Sequence, residues 1–120
     1  MEKVSYESVW IPIRNVTSTE VSLFEKSDIH FRKHIDICFL IGELVFVTTS
    51  VVDNEIIICI PELCLKFAKC ENTLLALKNS ETHVMVYVSI ESGRILLRGF
   101  PFEPSTRYEL SLQFFMRITN

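Results

Sequence analysis

The feature that most constrains this chain is a strict period of two running through its last third. From Thr82 to Ile90, Val84, Val86, Val88 and Ile90 fall on one side, with His83, Met85, Tyr87 and Ser89 on the other. Helices repeat at 3.6 residues, so this alternation specifies a half-buried strand. Glu91-Ser92-Gly93 interrupts it, and Gly93 supplies the positive φ of a tight hairpin before a return strand, Arg94 to Arg98. After Gly99-Phe100-Pro101-Phe102-Glu103-Pro104 the alternation resumes. It places Tyr108, Leu110, Leu112, Phe114, Met116 and Ile118 inward, and Glu109, Ser111, Gln113, Arg117 and Thr119 mostly outward.

The rest of the chain reads in the same idiom. Met1 to Ser8 reads as an N-terminal arm or first edge segment, and Pro12 confines Val9 to Ile13 to an edge or a strand start. Asn15 to Glu20 is a turn region, and Val21 to Phe24 a short strand closed by Glu25-Lys26-Ser27-Asp28. Ile29 to Ile41 is the longest periodic run. Ile29, Phe31, Ile35, Ile37, Phe39 and Ile41 share one face, and His30, Arg32, His34 and Asp36 the other, with a bend expected near Lys33-His34. Gly42-Glu43 reads as a hairpin turn into a partner strand, Leu44 to Ser50. Ile56 to Ile60 is apolar on both faces and ends at Pro61. Leu63 to Lys69 reads as either a helical turn or a short strand, and Thr73 to Leu77 as a further short strand before a turn at Asn79-Ser80-Glu81.

About eight or nine short strands with regularly spaced turns predict one antiparallel, jelly-roll-like β-sandwich domain over residues 1–120, with little or no helix. Nine Phe and abundant Ile and Val favour strands. With only three Gly, some turns must be built on Asn, Asp and Ser. The net charge of −3 gives no basic footprint for nucleic acid, and no apolar run approaches the ~20 residues of a membrane-spanning helix. The first ten residues lack the apolar segment of a secretory signal, so the expectation is synthesis in a cytosol. Cys38, Cys59, Cys64 and Cys70 then read as reduced thiols packing as small hydrophobes, since no Cys-x2-Cys pair clips a metal.

The succession IHFRKHIDICFLIGELVFV, EIIICIPEL, VYVSIESGRILLRG and a final aromatic-rich strand resembles the C-terminal head domains of bacteriophage fibre and receptor-binding proteins. Ile60-Pro61 stands where that family ends a strand in an apolar-Pro dipeptide, and Ser92-Gly93-Arg94-Ile95 where it has a Gly-apolar hairpin. The match covers Ile29 to Ile118. It departs at Ile35, where the family has Gly, and lacks a second Pro after Pro61. The resemblance implies a homotrimer with no cofactor and no catalysis. Such a protein is located in the virion, contacts other virion proteins, and binds a host surface receptor or glycan. The alternative from the residues alone is a cellular binding module for a protein or small ligand.

Candidate chemistry is sparse. His30 and His34 are ~13 Å apart along a strand, too far to share a metal. Cys38 shares a predicted face with His34 and Asp36, but its apolar neighbours argue for an inert thiol. Asp53 and Glu55 read as exposed turn carboxylates. No catalytic, cofactor-binding or metal-binding residue is assigned. The contact candidates are of two kinds. Ile56, Ile57, Ile58 and Ile60 are interface residues, because a single core covers only one face of that strand. Tyr6, Trp10, Phe100 and Phe102 are aromatic anchors for a partner, or plugs at the end of the fold.

Overall fold

A computed structural model describes residues 9–61 and 68–118. Among the described residues eight strands follow one another: β1 (Ile11–Ile13), β2 (Val21–His34), β3 (Ile37–Thr48), β4 (Glu55–Cys59), β5 (Ala68–Asn79), β6 (Thr82–Glu91), β7 (Arg94–Arg98) and β8 (Arg107–Ile118). All pairings are antiparallel, in the order β1-β2-β3-β8-β5-β6-β7-β4. The protein is all-β, as the alternation predicts. The eight strands form one continuous curled sheet. Its four-stranded halves, β1-β2-β3-β8 and β5-β6-β7-β4, join along β8 and β5, where the register is irregular between Lys69 and Lys78.

The curl brings β4 back to the start of β2. Thr17 and Cys59 exchange backbone hydrogen bonds at 3.1 and 2.7 Å, and Ile57 N donates to Glu20 Oε1 at 2.9 Å. This segment covers an edge that would otherwise offer unpaired backbone groups to another chain. The enclosed face forms one core containing Ile29, Leu40, Phe46, Ile58, Val88, Leu97 and Tyr108. Inward alternation in β6 and β8 follows the sequence: Val86, Val88, Ile90, Tyr108, Leu110, Leu112, Phe114 and Met116 are buried. The loop after β7 closes one end. Phe102 is buried edge-on against Phe100 and Tyr108, Tyr108 Oη accepts from Glu103 N, and buried Thr48 bonds to Glu103 O and Thr106 N.

Positive φ at Ser80, Ser92 and Ser105 confirms that serine builds turns here, and Ser92-Gly93 forms the β6–β7 hairpin with both residues at positive φ.

The boundaries of the first long hairpin differ from the sequence reading. Glu25 to Asp28 is no turn: β2 continues through it, with one register irregularity between Phe24 and Lys26. The run Ile29 to Ile41 is two strands that reverse at Ile35-Asp36, with His34 opposite Ile37. Ile35 takes φ 56°, an uncommon conformation for a β-branched residue. Gly42-Glu43 is the interior of β3: Gly42, at φ 138°, lies opposite both Ile29 and Leu112. A Cβ there would sit 2.6 Å from Ile29 Cα and overlap Asp28 O, so Gly42 permits close approach of β2 to β3.

Candidate interaction surface

The reversal at Ile35-Asp36 decides what the outer face of β1-β2-β3-β8 carries. Two loop residues lie between the strands, so His30, Arg32 and His34 of β2 stand beside Ile41, Phe39 and Ile37 of β3. The ladder with β8 adds Gln113, Phe115 and Arg117 to the same three rows. Pro12 of β1 lies opposite His30, and Trp10, two residues earlier, reaches the Arg32 row.

The middle row is Trp10, Arg32, Phe39 and Phe115. Phe39 and Phe115 meet edge-to-face with centroids 5.2 Å apart, and the Arg32 guanidinium lies 5.8 Å from the Trp10 ring centroid. Phe115 is 70% exposed. Ile37 and Ile41 are exposed on either side of Phe39, and Ile35 projects from the hairpin tip. Arg32 Nε is buried and meets no hydrogen-bond acceptor among the described residues. One donor of the guanidinium is thus unused, in a setting where each unmade bond to a buried polar group is costly.

The other end of the same sheet face is different in kind. Lys26 pairs with Glu43, and Arg107 pairs with Glu25 at 2.9 Å and Glu109 at 2.8 Å. These charges satisfy one another and cover Val45, which is buried although it stands on the outer side. The second half of the sheet exposes Leu74, Met85 and Tyr87, with the Tyr87 ring lying against Gly99.

The residues singled out in the sequence fare unequally. Trp10 is on the surface, in the row above. Phe102 is core and Phe100 packs on it, so this pair is the plug and not the anchor. Tyr6 lies outside the described residues, as does Cys64. Ile56, Ile58 and Ile60 are fully buried in the chain's own core and are closed to a partner. Ile57 is half-buried, beside Leu96 and under the Glu20 hydrogen bond. The second apolar face of β4 is therefore partly covered from within the chain.

The Cys38–His34 relation also changes. Cys38 stands inward opposite Lys33 while His34 is exposed, because the reversal sits between them. Burial pushes the Cys38 thiol up to about 11, which leaves it protonated near neutrality. Cys38 and Cys59 are free thiols, and the Cys70 sulfur lies 3.6 Å from the Thr73 hydroxyl. Among the described residues no three His, Cys, Asp or Glu side chains are placed to hold a metal ion, and no helix is long and apolar enough to cross a membrane.

Phe39 and Phe115 were missed as surface residues. The Phe114-Phe115 doublet held the signal: in a strand that buries one, the other must face out.

Comparison with known proteins adds no relative: no family model, curated protein or solved structure matches the chain.

Proposed function

We propose that this protein is a non-enzymatic domain that works by protein contact, and that the outer face of β1-β2-β3-β8 is its contact surface. The row Trp10-Arg32-Phe39-Phe115 carries this reading. Large aromatic side chains and arginine dominate the energetics of protein interfaces, and here they stand side by side on the outer face, with Trp10 and Phe115 exposed and Arg32 and Phe39 half-buried between them. The inward, protonated Cys38 thiol and its separation from His34 favour a binding role over nucleophilic catalysis. The strand patterns that resemble fibre heads supply a setting, a virion assembled from copies of this chain and other virion proteins.

Site-specific photo-crosslinking tests the reading. A photoreactive phenylalanine replaces Phe115 in the full chain, expressed where the protein normally acts. Crosslinks from this position to one discrete protein species, absent when the photoreactive group is placed at exposed Glu81, support it. Failure to crosslink any protein, or adducts to nucleic acid or glycan instead, overturns it.

A further inference from the structure

The contact surface is electrostatically one-sided. Three rows cross its strands: His34-Ile37-Arg117, then Trp10-Arg32-Phe39-Phe115, then Pro12-His30-Ile41-Gln113. Every ionisable side chain in these rows is basic, in a chain whose 15 Asp and Glu outnumber its 12 Lys and Arg. Carboxylates stand only at the borders. Asp36 is in the turn beyond the first row, and Asp28 and Glu43 form the row after the third. Those two are already engaged, Asp28 3.7 Å from His30 Nδ1 and Glu43 with Lys26. Arg32 and Arg117 form no ion pair with a described residue, and Arg117 is exposed. Two guanidinium groups, charged at any physiological pH, thus flank Phe39 and Phe115 with no carboxylate of their own. The surface is also small. Four strands ~4.8 Å apart and three rows ~6.6 Å apart make a field of roughly 14 by 13 Å. It fits about four or five extended residues, and is less than two globular faces need for a stable interface.

Resting on the contact-surface reading above, we infer that the partner is a short acidic segment of another protein, its large apolar side chains seated among Trp10, Phe39 and Phe115 and its carboxylates paired with Arg32 and Arg117. A carboxylate accepts from two guanidinium N–H groups at once, and such charge-assisted pairs are among the strong polar contacts. Stacking on Trp10 occupies a face of the Arg32 guanidinium, while carboxylate pairing uses its edge, so the two contacts are compatible. Single-stranded nucleic acid is anionic too, and its bases stack on aromatic rings. An unbroken run of phosphates suits this surface less well, because Ile35, Ile37 and Ile41 are exposed around the rings and Asp28 and Glu43 close one side.

Selection of a displayed library of random peptides against the full chain tests this. The expected result is a set of peptides enriched over the unselected library in Asp and Glu together with Phe, Trp or Leu. The most enriched peptide, labelled with fluorescein and followed by anisotropy, should bind about tenfold or more weakly to Arg32→Gln and to Arg117→Gln. Circular dichroism confirms that both variants are folded, and Arg117, being exposed, keeps the test valid if Arg32→Gln is not. No selected peptide, peptides without an acidic excess, or binding undiminished in Arg117→Gln would each overturn the inference. Aromatic peptides without acidic residues, whose binding is lost in Phe115→Glu, would remove the acidic partner and leave the contact surface standing. Oligothymidylate that binds while no peptide does would overturn both.

Discussion

Gly42→Ala should be the most damaging single-methyl change in the molecule. Gly42 sits mid-strand at φ 138°, opposite Ile29 on one side and Leu112 on the other. Holding an L-residue in such a conformation costs roughly 1–3 kcal/mol. The added Cβ would also lie 2.6 Å from Ile29 Cα and 2.8 Å from its Cγ2, against backbone that cannot swing aside. Relief requires β2 to lift from β3, and Ile29, now 1% exposed, then loses part of the ~1.5–3 kcal/mol that burying such a side chain contributes. The combined loss is about 3–5 kcal/mol. Urea unfolding followed by circular dichroism measures it through the midpoint and slope. A loss below ~1 kcal/mol would refute the close approach and restore Gly42 to the hairpin turn that its sequence context suggests.

Other outcomes follow from the same packing. Phe114→Ala should cost about 3–5 kcal/mol in urea unfolding, while Phe115→Ala should stay within ~0.5 kcal/mol; the reverse order would mean a one-residue slip of β8. Ile35→Gly should stabilise by ~1 kcal/mol, because a β-branched residue at φ 56° is strained and glycine is not; calorimetry showing a lower melting temperature would contradict it. Cys38 should resist alkylation at pH 8 in the folded chain and react once unfolded, as judged by mass of tryptic peptides. Burial raises the Glu20 carboxyl, but hydrogen bonds from Thr19, Ile57 N and Ser18 outweigh it and hold it below its usual 4.5. Its contribution is therefore present above pH ~4.5 and fades as pH falls through the lower folded value, so Glu20→Gln should flatten the acid limb of the stability curve. An acid limb unchanged by the substitution would contradict this.

What could be read from the sequence was local. Alternation in Val84 to Ile90 and Tyr108 to Met116 fixes which residues face the core, because a pleat allows only two sides. Serine as a turn residue could be inferred from the shortage of glycine. The reversal at Ile35-Asp36 could not: it has no Gly, Asn or Pro, and a β-branched residue takes the strained position. Gly42 was misread for the complementary reason, since positive φ serves a bulge or a close backbone approach as well as a turn. Both errors fall on one hairpin, and together they hid the contact surface. Phe39, Arg32 and Phe115 are distant in sequence and become neighbours only through the β2–β3–β8 register. The apolar strand Ile56 to Ile60 suggested an interface because nothing in the sequence shows Thr17 to Glu20 folding back along its edge.

Trp10 is the chain's single tryptophan, and it stands in the middle row of the contact surface. Its fluorescence therefore reports on that surface alone. On addition of the protein that crosslinks at position 115, its emission should shift to the blue as the indole leaves water, and Phe115→Glu should abolish the shift. An emission maximum that stays constant at saturating partner would place the contact surface elsewhere on the molecule.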